Sequence, residues 1–292
     1  MKRCPSCAKA FSGEQWDCPH CAWTPRRDGD VLTLAAQAGV PGDGFDPTYF
    51  ARLFQLESSS FWFRARNRLI VWALRRYLPD ARDFLEIGCG TGYVLAALAD
   101  ACPDMHLTGS EFFTQGLQWT ARRVRGATLM QLDARNLPFE EEFDAFGAFD
   151  VLEHIDDDPR VLGEAYRALR PGGSLLLTVP QHRFLWSALD EYAFHQRRYS
   201  RSELLMKVRA AGFDVLRCSS FVSLLMPVLL MSRATRRSEQ RLDPEGEFKI
   251  PRFLDYGFEK TMDAERALIR AGVSFPFGGS LLLVARKSAK KR

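Results

Sequence analysis

Between residues 83 and 180 the chain repeats one pattern: a short apolar run, a polar turn, then an amphipathic stretch long enough for a helix. "DFLEIG" leads into "TGYVLAALAD" and "MHLTGSE" into "TQGLQWTARRV". "ATLMQLD" and "FDAFGAFD" are further apolar runs, and "DDDPRVLGEAYRALRPGG", read as a helix with Asp158 at its N-cap, Pro159 next and a glycine stop, separates them from "SLLLTVP". Such runs read as buried strands, and strands returned by crossover helices lie parallel. The pattern predicts an α/β fold, a Rossmann-like, mostly parallel sheet with helices on both faces. At 292 residues and 46% hydrophobic, the chain can bury one full-sized domain with a small appendage.

"FLEIGCGTGY", residues 84–93, joins the first of these strands to its helix. Gly88, Gly90 and Gly92 form GxGxG rather than the GxGxxG of dinucleotide binders, a turn that lets backbone approach a small molecule. Glu86 lies within the strand end. Glu111 ends the second strand, where a carboxylate can accept both hydroxyls of a ribose, and Asp133 ends the third, where it could meet an adenine amino group. Three acids on successive strand ends face one crevice, and nothing basic is expected there to hold a pyrophosphate. A cationic adenosine ligand fits this better than NAD.

The segments "FLEIGCGTGYVLAALA", "LTGSEFF", "LDARNLPF", "FDAFGAFDVLEHIDD" and "ALRPGGSLLLTVP", in that order, resemble successive motifs of class I S-adenosylmethionine-dependent methyltransferases over roughly residues 60–286. The resemblance implies a seven-stranded sheet whose last strand runs antiparallel between the fifth and sixth, with "FDVLRCSSF" and "SLLLVARK" as those two. It implies S-adenosyl-L-methionine as cofactor. Glu86, Gly88, Cys89, Gly90 and Gly92 would lie along its methionine part, Glu111 on the ribose, Asp133 and Ala134 by the adenine, with Asp150 completing the set. His154, in "DVLEHI", is the best-placed general base, since an unperturbed imidazole titrates near pH 6.5. In similar O-methyltransferases of quinone biosynthesis a Glu-His pair here, matching Glu153 and His154, borders the substrate. The alternative is that the pair only orders the strand end. Asp150, Glu153, His154 and a later histidine, His182 or His195, also resemble the ExxEH…H metal site of small-RNA 2′-O-methyltransferases, with Asp in the first position. The sequence leaves a second metal there open.

"CPSCAKAFSGEQWDCPHC" places Cys4, Cys7, Cys18 and Cys21 as CxxC, ten residues, CxxC. Two such turns can close a tetrahedral four-thiolate shell, and structural zinc is expected in it. His20 is then a spectator. A segment this short has no core of its own, so the ion supplies its folding energy. The predicted organisation is a zinc-ribbon module at 1–25, a linker at 26–45 with one short structured piece, and a methyltransferase domain at 46–292. Lys2, Arg3, Lys9, Arg26 and Arg27 are a thin basic supply, which favours a structural staple or docking knob over nucleic-acid reading.

Residues 181–250 form the expected lid and apolar insertion. His195, Arg197, Arg198 and Tyr199 cluster in a loop as substrate candidates, the arginine forks suiting phosphate or carboxylate. Ser200 and Glu203 predict a capping box. The apolar stretch at 221–237, interrupted by Pro227 and followed by arginines, reads as a cover for the cleft or a peripheral membrane contact. Residues 232–249 are expected to be mobile, and Pro251 to start a helix that stops at Gly272.

A formal charge of +4 gives no large basic field, the N-terminus lacks the apolar core of a signal peptide, and no run approaches the ~18 apolar residues of a spanning helix. The chain is expected to be cytoplasmic, with membrane-peripheral contact as a variant. The expected function is methyl transfer, at oxygen, to a small-molecule or lipid-linked acceptor such as a sugar, isoprenoid or quinone-like compound. An rRNA methyltransferase docking RNA through the zinc module is the first alternative. A non-catalytic, cofactor-binding partner protein is the second.

Overall fold

The computed structural model describes residues 1–13, 15–35, 46–236 and 250–289. In chain order the elements are β1 (Lys2–Arg3), β2 (Ala10–Phe11), β3 (Arg26–Asp28), β4 (Val31–Thr33), α1 (Tyr49–Leu56), α2 (Phe61–Tyr77), β5 (Asp83–Ile87), α3 (Tyr93–Ala101), β6 (His106–Glu111), α4 (Thr114–Arg123), β7 (Thr128–Gln131) and β8 (Phe143–Phe149). Then follow α5 (Asp158–Ala168), β9 (Leu169–Pro180), α6 (Ala188–Tyr192), α7 (Arg201–Ala210), β10 (Phe213–Phe221), α8 (Met226–Arg236), α9 (Arg252–Arg270) and β11 (Ser280–Lys287). One sheet runs β10-β11-β9-β8-β5-β6-β7-β4-β3. β5 through β9 pair in parallel, and β11 lies antiparallel between β9 and β10. Phe84, Leu85, Leu176, Leu282 and Val284 are fully or almost fully buried, as strands covered on both faces require. The chain direction across the sheet reverses at β5, whose neighbours are β6 and β8, so the crevice for a ligand opens at their carboxyl ends.

The stretch read as a linker contributes to this sheet. β3 and β4 form a hairpin, and β4 pairs in parallel with β7, Leu32 opposite Met130. Residues 36–45 of that stretch lie outside the described residues. The cysteine module sits on the same edge. Arg3 N donates to Pro138 O at 2.9 Å, Glu140 N to Met1 O at 2.8 Å, and Trp16 meets Phe139 edge-on at 5.7 Å. Cys4, Phe11, Trp16 and Cys18 share one apolar core with Leu34, Met130, Phe139 and Phe143. Cys18→Ser places a hydroxyl in that core and removes one thiolate. It is expected to cost about 3 kcal/mol, a drop of roughly 6–12 °C in thermal midpoint. An unchanged calorimetric scan would show that the module's packing adds nothing to the body.

Three local expectations are corrected. The N-cap of α5 is Asp157, whose Oδ1 accepts from Arg160 N at 3.2 Å. Asp158 is buried, accepting from Tyr199 Oη at 2.6 Å and Lys207 Nζ at 2.7 Å, and so is not free to cap. The Pro171-Gly172-Gly173 stop falls inside β9, because α5 already ends at Ala168. At α7, Ser200 Oγ accepts from Glu203 N at 3.1 Å, but the Glu203 carboxylate turns to Lys207 at 3.0 Å. The complete capping box is at α6, between Ser187 and Asp190. The mobile stretch expected at 232–249 lies outside the described residues from 237 onward. Up to Arg236 the chain continues α8.

Candidate active site

A cavity of about 1220 Å³ opens over the carboxyl ends of the central strands. It is lined by Glu86, Gly88, Cys89, Gly90, Glu111, Asp133, Ala134 and Asp150, from the ends of β5 and β6 and the turns after β5, β7 and β8. The turn after β5 needs its glycines. Gly88 has φ +61°, and a Cβ there would fall 2.5 Å from Val151 Cγ2. Gly92, at φ +74°, starts α3, and a Cβ there would fall 2.6 Å from Thr120 Cγ2; it shapes the turn without lining the cavity.

Glu111 closes the turn from the next strand. Its carboxylate accepts from Gly90 N at 3.0 Å, Phe112 N at 2.8 Å and Phe113 N at 3.3 Å. Burial pushes its pKa up, and those three N–H groups pull against that. Glu86 is buried, and its Oε2 has no hydrogen-bond partner among the described residues. Burial drives its pKa well up, Arg66 opposes this, and the Glu111 and Glu57 charges add to it. Beside the bare backbone turn, two buried carboxylates thus have no positive charge of their own, since Arg66, which acts on Glu86, is paired to Asp150. S-adenosylmethionine carries one at its sulfonium and another at its amino group, and the residues present fit it.

Basic side chains do border the crevice, contrary to expectation, but each described one by the turn is held by an acid. Asp150, at φ +57°, is paired to Arg66 and takes Thr178 Oγ1 at 3.2 Å. Arg66 in turn lies over Trp62, 4.6 Å from the ring centre. Asp133 is gripped by Arg135 through its backbone N at 2.9 Å and its guanidinium at 2.8 Å. Burial opposes the Asp133 charge, yet these bonds outweigh it and hold the carboxyl below its usual range. Glu57, the end of α1, accepts Thr91 Oγ1 at 2.6 Å and Arg123 Nη1 at 2.6 Å, tying α1 over the turn. Neither Arg66 nor Glu57 was singled out from sequence. The available signal was an arginine amid the apolar positions of α2.

The same cavity is lined by Glu153, His154, Leu189, His195 and Arg198. Glu153 and His154 sit on a single 3-10 turn after β8, and His195 lies in the loop between α6 and α7. The two imidazoles meet edge-on at 4.7 Å. His195 Nδ1 lies 2.9 Å from Asp190 Oδ1, and Arg198 clamps the same carboxylate at 2.7 Å and 2.9 Å. Burial works against the Asp190 charge, but these partners outweigh it and keep the carboxyl well below its usual range. Asp190, which no motif flagged, thus orients His195.

Glu153 is fully buried, and neither of its oxygens has a hydrogen-bond partner among the described residues. Burial first, then the Asp150 charge, pushes its pKa well up.

The four loop candidates separate. His195 and Arg198 face the cavity. Arg197 and Tyr199 do not: Arg197 pairs with Asp158 at 3.0 Å and the buried Tyr199 donates to the same carboxylate. The Arg198 fork expected to take a ligand phosphate or carboxylate is already closed on Asp190. Of the two histidines left open as partners of His154, His195 joins it, while His182 stacks on Phe184 at 5.0 Å and Phe277 at 4.4 Å.

The apolar stretch after β10 divides. Val222 and Leu229 line the cavity, while Leu224, Val228, Leu230 and Met231 keep 39–65% of their surface exposed. No helix among the described residues is long and apolar enough to cross a membrane.

At the N-terminus Cys4 Sγ lies 3.6 Å from Cys21 Sγ, and Cys7 Sγ 3.7 Å from Cys18 Sγ. A tetrahedron of ~2.3 Å metal–sulfur bonds has edges of about 3.8 Å, so the four can hold an ion with little movement.

Residues 85–177 match the model of a family described as a methyltransferase domain, Methyltransf_11. A curated relative from Mycolicibacterium smegmatis, named "Probable S-adenosylmethionine-dependent methyltransferase", is 28% identical over 63% of this chain and 66% of its own length. A ubiquinone/menaquinone biosynthesis C-methyltransferase of Desulfotalea psychrophila is 34% identical over 32% of this chain and 40% of its own. The chain thus spans just under two thirds of the first of these relatives and less of the second. A chain from the complex of the Haloferax volcanii Trm112 methyltransferase activator with a methyltransferase aligns over 86% of this chain and 100% of its own, with TM-score 0.57 and 18% identity, which is a likeness of fold. The methyltransferase domain matched at residues 85–177 is seated on this sheet and around this glycine turn, and the chain is similar to S-adenosylmethionine-dependent methyltransferases.

Proposed function

We propose that the chain transfers the methyl group of S-adenosylmethionine to an oxygen of a small-molecule or lipid-linked acceptor, a sugar, isoprenoid or quinone-like compound. The observation that carries this reading is the single cavity. The turn with Gly88, Gly90 and Glu111 and the cluster of Glu153, His154 and His195 line the same cavity, which supports donor and acceptor meeting in one space. The cofactor supplies a methyl carbon already activated by a sulfonium. The chain has to align the acceptor, exclude water and take a proton. Glu111 holds the ribose, and Glu86 with Glu111 offsets the positive charge. The Glu153–His154–His195 cluster, His154 foremost, handles the acceptor proton. Tyr49 and Tyr192, edge-on at 5.3 Å, close α1 against α6 over the site. The exposed apolar side chains of α8 and the segment before it support delivery of the acceptor from a lipid surface. The four cysteines hold a structural zinc.

Tritiated S-adenosylmethionine incubated with the chain and a fractionated bacterial lysate tests this. Label is expected in the organic-soluble or small-molecule fraction. Label confined to RNA would replace this reading with the nucleic-acid one. No label anywhere, from a chain that still binds the cofactor, would leave a non-catalytic partner.

A further inference from the structure

We propose that the first turn of the cysteine module is a wall of the cofactor cavity, with Arg3 meeting the adenine ring, so that an ion held by the four cysteines and S-adenosylmethionine tighten each other's binding. The inference rests on the cofactor part of the reading above, and on neither the acceptor nor the proton transfer.

Arg3, Cys4, Pro5 and Ala8 line the same cavity as Asp133 and Ala134. Backbone bonds hold the module against the turn that carries those two residues. Arg3 N donates to Pro138 O at 2.9 Å, and Lys2 bridges to Phe139 in antiparallel fashion. Asn136 N donates to Asp133 O at 2.9 Å, which closes the turn just before that anchor. At its start, Leu34 N and Ala35 N share Gln131 O, at 3.1 Å and 3.3 Å. Ala134 and Cys7 both pack on the apolar cluster that contains Cys4, Leu34, Leu132 and Leu137. The strand end read as the adenine site is therefore bounded by the module.

Arg3 brings the chemistry. Of the five arginines that line the cavity, Arg66, Arg135, Arg167 and Arg198 each pair with a carboxylate. The Arg3 guanidinium makes no hydrogen bond or ion pair among the described residues. A guanidinium can only donate. Adenine offers ring nitrogens that accept and a flat face on which a guanidinium stacks. A free cation beside the sulfonium would oppose binding, whereas beside the adenine it finds acceptors.

Cys4 is the joint between the two ligands. It lines the cavity, and its Sγ belongs to the four-sulfur cluster, 3.6 Å from Cys21 Sγ. Its N donates to Lys9 O at 3.0 Å and its O accepts from Ala8 N at 2.9 Å, so Pro5 and Ala8 are carried on the same loop. An ion on the sulfurs fixes that loop, and with it Arg3 next door. Whatever one ligand orders for the other is a coupling free energy, equal in both directions.

Calorimetry on the zinc-loaded full chain provides the test. The Arg3 side chain ties down nothing in the protein, so Arg3→Ala should keep its thermal midpoint and its bound zinc. It should bind S-adenosylhomocysteine about 3- to 12-fold more weakly, the worth of one hydrogen bond or stacking contact. 5′-Methylthioadenosine, which keeps the adenine and lacks the amino-acid end, should weaken by the same factor. Removing the zinc with a chelator should weaken S-adenosylhomocysteine by about 5- to 150-fold, and saturating S-adenosylhomocysteine should tighten zinc by that same factor in chelator competition. Wild-type affinity of Arg3→Ala for both nucleosides, a loss confined to S-adenosylhomocysteine, or a zinc affinity indifferent to the nucleoside overturns the proposal and leaves the methyltransferase reading in place. No heat from the zinc-loaded wild type with either nucleoside overturns both.

Discussion

Glu111→Gln is expected to bind S-adenosylhomocysteine about 10- to 150-fold more weakly than the wild type in calorimetry, with the thermal midpoint lowered by about 2–8 °C. The substitution keeps size and shape. It replaces one carboxylate oxygen by an NH₂ that must face either Gly90 N–H on one side or Phe112 and Phe113 N–H on the other. Donor then meets donor at the point where the turn is tied to β6. The ribose contact proposed for this carboxylate would be lost as well. Hydrogen bonds to a charged group contribute about 1.5–3 kcal/mol, which is the range quoted. Asp133→Asn should weaken binding much less, because the Asp133 carboxylate is already engaged by Arg135. Equal affinity of Glu111→Gln and wild type would refute the placement of the nucleoside against this residue.

His154→Ala should lower turnover by about 10²- to 10⁴-fold, the usual contribution of a positioned proton-transfer group, while S-adenosylhomocysteine affinity stays within about twofold of the wild type. The split follows from the proposed roles: His154 takes the acceptor proton, while the glycine turn and Glu111, in the same cavity, hold the cofactor. His195→Ala should show the same split, and the double variant should be little worse than either alone, since groups acting as a unit are not additive. Steady-state kinetics with the labelled acceptor identified from lysate supplies the measurement. Full turnover in His154→Ala would remove the cluster from the chemistry.

The parts of this site that were legible from sequence are those written locally. Gly88, Gly90 and Gly92 announce a turn by spacing alone, and Glu111 and Asp133 announce themselves by ending strands whose apolar runs are unmistakable. What was missed depends on side chains meeting across long separations. Arg66 reaches Asp150 over 84 positions, and Glu57 reaches Arg123 over 66. Neither pairing leaves a trace in local pattern. Tyr199 and Arg197 were placed with His195 because they are neighbours in sequence. Along the loop the chain turns them to Asp158, and adjacency says nothing about which way a side chain points. The β3–β4 hairpin escaped for another reason. Arg26, Arg27 and Asp28 are all exposed, so the outer strand shows no alternation of apolar and polar residues to read.

That hairpin also determines what the molecule presents to its neighbours. Without it, β7 would offer its outer row of amide and carbonyl groups to any extended chain that drifted past. With it, the rim of the sheet is a three-residue stub carrying two guanidinium groups, too short and too charged for a second polypeptide to zip onto. A segment with no part in the chemistry therefore shields the fold from self-association along its flank.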